Sequence, residues 1–517
     1  MSPMLRVWML AMLLVLPSLG AGLFADDYGH RFLLVEQSHE LFSFLDNDPS
    51  LRQLQYGYGM VPWWSSESLS LRFFRPLADI THRFDYWLYP DSPWRMHLQS
   101  LVWYGLLLFV VMALYRKLFA ALGVDGKLAA FFAFLFFAVD ATHGMTVAWI
   151  ANRNALLAAL CGMLAFYCHI RSRWLLSALL FGMSLLSAEC GVATFGFLAG
   201  FALFLDERGI RSGLLALLPA ALVLLVWLVA YRVMGYGVVG SAGFYIDPFH
   251  NLSGFLWQLP EKILVALSAL FHLLPFHLVS YLHGFVLVSG LLIFLLLGWW
   301  AWKCNDPLYR FFLCALVVSI LPATVTVMQD RNLLFASVAA AGLLARITLW
   351  LRDRSRAGQA LILFFHVLVS AMLMVPAALA PALLAKNAES LARALPVSEE
   401  RAPVISFGMP LYDASFVALV RHAEGLPLPE RFWNITTCTE GVVVERIGSG
   451  VIRVSSPAGL LRGDDLLFRD LRREPFVVGQ WLDRNGLQVR VVAVGADGVP
   501  TIIELVAPAE TVVVHYR

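Results

Sequence analysis

Ionisable residues gather at a few points of a chain that is otherwise poor in charge. Asp26 and Asp27 follow directly on the apolar run 5–24. Adjacent helical residues point about 100° apart, so one acid can face inward while the other caps the helix or meets water. A carboxylate at a membrane rim is partly desolvated, which raises its pKa and makes it a better general base. The plainer reading is two solvated acids that end a helix. Arg72, Arg75, Asp79, His82, Arg83 and Asp85 come next, at i,i+3 and i,i+4 spacings. They fit an amphipathic helix on the membrane, with solvated charges and buried Phe73, Phe74, Leu77 and Ile80. They equally fit Arg75 and His82 held near an anionic lipid head group. His143, Trp149, Asn152 and Arg153 lie between two apolar runs, Glu189 stands near the end of another, and Arg331 opens a further one beside Asp330. Guanidinium groups and helix N-termini stabilise the charge that develops on a departing phosphate. An arginine snorkelling to the interface has the same sequence signature. Tyr56, Tyr58, Trp63 and Trp64 could stack on a sugar ring or form an interfacial belt.

These residues must be positioned by membrane helices. The 517 residues are 59% hydrophobic and 14% charged, against about 25% charged in soluble domains, and the mean hydropathy is +0.72. A net charge of +2 without a basic tract gives no footing for nucleic acid. Spanning helices need about 20 apolar residues. Eleven runs qualify: 5–24, 97–119, 126–141, 152–170, 174–190, 191–206, 212–234, 281–302, 310–328, 332–350 and 359–384. The stretch 262–277, with His272 and His277, reads as an interfacial helix or a twelfth span. Run 5–24 also resembles a cleavable signal, but the acidic pair after it favours an uncleaved first span. Lys and Arg of the short loops (Arg6, Arg116, Lys117, Arg171, Arg173, Arg208, Arg211, Lys303, Arg310, Arg352, Arg354, Arg356) fall on one side under this count. That side is cytoplasmic, which places the N-terminus inside and the C-terminal region outside.

The expected division is a membrane domain, 1–385, with an outer loop, 25–96, followed by a soluble β-rich domain, 386–517. Val, Ile and Thr alternate in 441–447, 451–454, 487–494 and 501–506, between Gly and Asp. Among the six cysteines Cys438 alone lies in that domain, so it has no internal disulfide, and no zinc spacing occurs. The scarcity of cysteine outside the bilayer suits a bacterial inner membrane. Outer-loop acids leave a divalent cation open, although no ligand set has diagnostic spacing. The triplets beginning at Asn251 and Asn434 have the form of glycosylation sequons and face outward in this topology.

Several blocks, taken together, resemble a known family. The segment LRFFRPLADITHRFDYWLYPDSPWRMHL carries Arg75-Pro76-Leu77 and His97-Leu98. The segment DATHGMTVAWIANRNALLAAL carries His143, Val147-Ala148-Trp149, Arg153 and Leu156. Leu185-Leu186-Ser187-Ala188-Glu189 and Asp330–Ala339 follow in order. These are similar to the membrane part of the O-mannosyltransferases that carry tetratricopeptide repeats, and to their bacterial relatives, within the GT-C glycosyltransferases. The likeness covers about the first 350 residues, and Asp26-Asp27 matches the acidic motif after the first span. Departures are Asp140-Ala141 for His-Pro, Met145 for Glu, Ala188 for Lys, Asn332 for an aromatic, and the β-rich region in place of the repeats.

The resemblance implies a GT-C-like polytopic α-helical fold and sugar transfer from a polyprenyl-phosphate donor to an extracytoplasmic acceptor, with inversion. Asp26 or Asp27 would be the catalytic base. Arg331, Arg153 and Arg75 would bind the donor phosphate, with His82, His97, His143, Glu189 and Asp330 in support. A transporter or flippase of lipid-linked glycans is the alternative, but it would favour repeats and mid-span charges, which this chain lacks. A noncatalytic scaffold that presents the β domain is the other.

Overall fold

A backbone passing through lipid must satisfy its own N–H and C=O groups, so apolar runs of this length become helices. In the computed structural model the described residues are 1–35, 40–43, 45, 48–272, 279–397, 402–448, 450–508 and 510–516. Among them ten helices are long and apolar enough to cross a membrane. Nine coincide with expected runs. Runs 174–190 and 191–206 are instead the shorter apolar helices Trp174–Leu185 and Glu189–Phe204, and the tenth candidate is Leu252–Phe271. This last helix covers the described part of 262–277; His277 and the His272 side chain lie outside the described residues. Glu261 meets His283 and Ser268 meets Ser289, so helices Leu252–His272 and Val279–Lys303 run in the same sense rather than as an antiparallel hairpin.

The chain forms two compact units. The first comprises Met1–Phe24, Phe73–Tyr236 and Asp247–Ala382; the second comprises Ala25–Arg72, Gly237–Ile246 and Leu383–Arg517. The division is discontinuous: most of the outer loop belongs with the C-terminal region rather than with the helices.

The first unit is apolar outside. Along Ile210–Val233, Leu215, Leu218, Leu222, Leu225, Val229 and Val233 are exposed at helical spacing, while Gly213, Ala216, Ala220, Trp227 and Tyr231 are buried. Small residues let helices approach closely. A Cβ on Gly144 would lie 2.6 Å from that of Ala377, and one on Gly196 would lie 2.7 Å from Val318. Helix Pro76–Leu88 follows the same rule and reverses the expected amphipathic placement. Ala78, His82 and Asp85 are its buried face, whereas Ile80, Phe84, Trp87 and Leu88 point out.

The second unit is built like a water-soluble domain. Strands β1 (Val404–Phe407), β2 (Phe432–Asn434) and β8 (Val512–His515) form a parallel sheet in the order β2-β1-β8. Strands β3 (Val443–Gly448), β4 (Val451–Ser455), β5 (Trp481–Arg484), β6 (Leu487–Val494) and β7 (Pro500–Val506) form an antiparallel sheet in the order β3-β4-β7-β6-β5. Leu487, Val489 and Val491 are buried and Gln488 and Arg490 exposed, the period of two of a sheet covered on one face. Trp63 and Trp64 are core residues here, which rules out both the belt and the sugar-stacking roles. Trp63 Nε1 donates to the Ile435 carbonyl at 2.8 Å and Trp64 Nε1 to that of Asp465 at 2.8 Å. Arg484 and Arg469 donate in turn to the carbonyls of Trp63 and Trp64. Tyr56 is buried beneath Arg484. Asn434 and Thr436 are buried, and Asn434 is bonded to Met409 and Ser406, so the folded chain does not offer that sequon for glycosylation.

Candidate functional site

The site is built first from residues of the helical unit. Trp149 ends the six-residue helix His143–Ala148 in an extended conformation, which turns its indole aside. The Arg331 guanidinium lies over that ring, 4.3 Å from its centroid, and its Nε also donates to Gln329. The Trp149 ring meets Phe24 edge to face at 5.2 Å. His97 Nε2 donates to the Gly22 carbonyl at 2.8 Å. The end of the first span, the start of Pro93–Leu118, the turn 149–153 and the start of Asp330–Arg352 therefore converge. Arg331 is the half-buried cation among them.

Arg153 belongs to the same junction but is wholly buried. Its Nη1 is 2.5 Å from an Asp85 carboxylate oxygen, both side chains 0% exposed. Its remaining donors reach the Met96 carbonyl at 2.8 Å, Ser100 Oγ at 3.1 Å and the Thr81 carbonyl at 3.4 Å. Tyr89 adds a hydrogen bond to Asp85 at 2.8 Å. Burial pushes the Asp85 carboxyl upward while Arg153 and Tyr89 oppose it, and the net direction is up. The Tyr89 hydroxyl is pushed up to about 12, by burial and then by Asp85. With these partners Arg153 ties helix Pro76–Leu88 to two spans. His82 lies on the same buried face as Asp85, one turn earlier.

Arg75 forms a second ion pair. Its Nε and Nη2 lie 2.8 and 2.7 Å from Glu189 Oε2, Phe73 stacks beneath it at 4.3 Å, and Tyr231 donates to Glu189 at 3.1 Å. His143 joins three helices. Ser337 already donates to the Leu334 carbonyl, so it accepts from His143 Nε2–H at 2.9 Å. The other ring nitrogen lies 3.1 Å from the Tyr104 hydroxyl, which also reaches the Ala138 carbonyl at 3.3 Å. Burial pushes the pKa of His143 down, which keeps the ring neutral. Asp330 stands half-buried beside Arg331.

The acids belong to the second unit. Asp26 and Asp27 open helix Asp26–Val35, after Ala25 in a left-handed conformation (φ 50°). Asp27 is 1% exposed and Asp26 is exposed, the split expected of neighbours on a helix. Glu389 accepts from the Tyr28 hydroxyl at 3.1 Å. Both acids lie in the first turn of that helix. Among the described residues no group of three or more His, Cys, Asp or Glu could hold a metal ion.

Single motifs did not disclose the partners of these groups. Tyr231, Tyr104 and Ser337 were not separable from packing residues by type or spacing. The one usable signal was the i,i+3 step from His82 to Asp85. No family model matches this chain, and a search of curated proteins finds no match.

Proposed function

We propose that this chain is an integral membrane glycosyltransferase that moves a sugar from a polyprenyl-phosphate carrier to an acceptor hydroxyl on the non-cytoplasmic side, with inversion. The observation that supports it most is the junction around Trp149. There the end of the first span meets a half-buried arginine held flat by cation–π contact, at 4.3 Å. Asp26 and Asp27 come two and three residues after Phe24 in the chain.

In the proposed reaction the acceptor oxygen attacks the anomeric carbon, and its proton passes to the carboxylate of Asp27 or Asp26. The bond from that carbon to the phosphate oxygen breaks, and its electron pair leaves on the polyprenyl phosphate. Arg331 stabilises that charge. Arg75, partly neutralised by Glu189, is the second candidate for the phosphate. Arg153 positions the juxtamembrane helix.

The test uses the full chain in lipid nanodiscs with undecaprenyl-phosphate-linked radiolabelled hexoses. It measures transfer to a panel of acceptors and, without acceptor, slow release of sugar to water. Arg331→Ala should lower the rate about 10²–10³-fold, and Asp27→Asn about 10²–10⁴-fold. Wild-type rates in Asp26→Asn, Asp27→Asn and the double variant would falsify the assignment. Saturable donor binding without turnover would favour the scaffold instead.

A further inference from the structure

We propose that the solvent face of the five-stranded sheet is a binding surface for a neutral, polyhydroxylated glycan chain. It rests on the sheet's own side chains and not on the transfer reading. The strand registers place Trp481 opposite Arg490, Arg490 opposite Glu504, Glu504 opposite Arg453, and Arg453 opposite Glu445. One row thus crosses all five strands, on the face opposite the buried Leu482, Val489, Leu505 and Ile452. Glu504 binds both arginines, at 2.7 Å to Arg453 and 3.5 Å to Arg490, and the two arginines remain 42% and 47% exposed. The Arg490 guanidinium lies 5.8 Å from the centre of the Trp481 ring.

Neighbouring strands are about 4.8 Å apart, so donors and acceptors alternate along the row at that interval. Two arginines and two glutamates cancel. A polyanion would meet Glu504 and Glu445, and a polycation would meet Arg453 and Arg490. Hydroxyl groups both donate and accept, so a neutral sugar chain can satisfy every member of the row in turn. Trp481, 54% exposed at the end of the row, offers an amphipathic ring on which a sugar's C–H face can lie. As a stabilising device alone, solvated cross-strand pairs contribute at most about 1 kcal/mol each and do not call for an exposed indole.

The test is biolayer interferometry on the full chain in nanodiscs, with immobilised maltohexaose, cellohexaose and chitohexaose as probes and hexagalacturonate as the anionic contrast. At least one neutral hexamer should bind and the anionic one should not. Trp481→Ala should weaken binding about tenfold, Trp481→Phe should largely restore it, and Arg490→Ala should weaken it with the thermal midpoint unchanged. The proposal is overturned if no neutral hexamer binds, if hexagalacturonate binds as well, or if Trp481→Ala and Arg490→Ala leave binding intact. No donor takes part, so loss of this surface leaves sugar transfer to be judged separately.

Discussion

The helical unit and the β-rich unit invert each other's rules. In the first, leucines at the middle of Ile210–Val233 point outward and an Arg–Asp pair is sealed inside. In the second, Trp63, Trp64 and the alternate residues of β6 fill the interior while arginines and glutamates line the outside. The difference is one of solvent. Lipid exacts nothing for exposed leucine and penalises exposed charge, whereas water does the reverse. Polarity therefore marks function only relative to the surroundings of each unit. A buried charge in the helical unit needs a partner, and Arg153 has Asp85. Arg331 is instead half-buried, against the Trp149 ring and Gln329.

The sharpest way to break this comparison is to remove one member of the sealed pair. Arg153→Met leaves Asp85 buried without its cation and should cost about 3–5 kcal/mol, read from unfolding in mixed micelles. Adding Asp85→Leu should recover most of that loss. A double variant as unstable as the single one would mean that the pair is not coupled. A somewhat smaller effect comes from placing one charge on each surface. Leu222→Arg at mid-span should cost about 2.5–3.5 kcal/mol and reduce the carbonate-resistant membrane fraction. Val443→Arg on the exposed sheet should stay within about 0.5 kcal/mol. Equal penalties would erase the distinction between the two solvents.

The smallest effect is a pH dependence confined to the β-rich unit. Burial pushes the Glu474 carboxyl up, but hydrogen bonds from Ser68, Ser66 and the Glu67 amide outweigh it, aided by Arg469, and the net shift is downward. A depressed carboxyl pKa stabilises the fold above the ordinary value of 4.5, and that contribution is lost as pH falls through the depressed value. Acidification below about pH 4.5 should therefore expose the 65–70 segment to proteolysis. Glu474→Gln should flatten that pH profile; an unchanged acid limb would assign the effect to another group.

The amino-acid sequence by itself determined the local structure. Unbroken apolar runs have no choice but helix in lipid, and alternation of Val, Ile and Thr sets strands β3, β4, β6 and β7 before any tertiary contact is known. It put the acids at the end of the first span, whereas they open a separate helix after Ala25 in a left-handed turn; helical geometry alone separated Asp27 from Asp26. Only the tertiary structure decided which groups meet. Strands β1, β2 and β8 are three or four residues long and show no alternation, so their parallel pairing depends on residues 28 and 108 positions apart. Trp63 and Trp64 look like a membrane belt until a β core closes over them. Arg153 and Arg331 are the same residue type at the start of two apolar helices, and nothing nearby in sequence tells them apart. Asp85 sealed one, and the Trp149 ring left the other half-open. Periodicity is a property of neighbours along the chain, whereas a charge's role depends on what the fold brings against it.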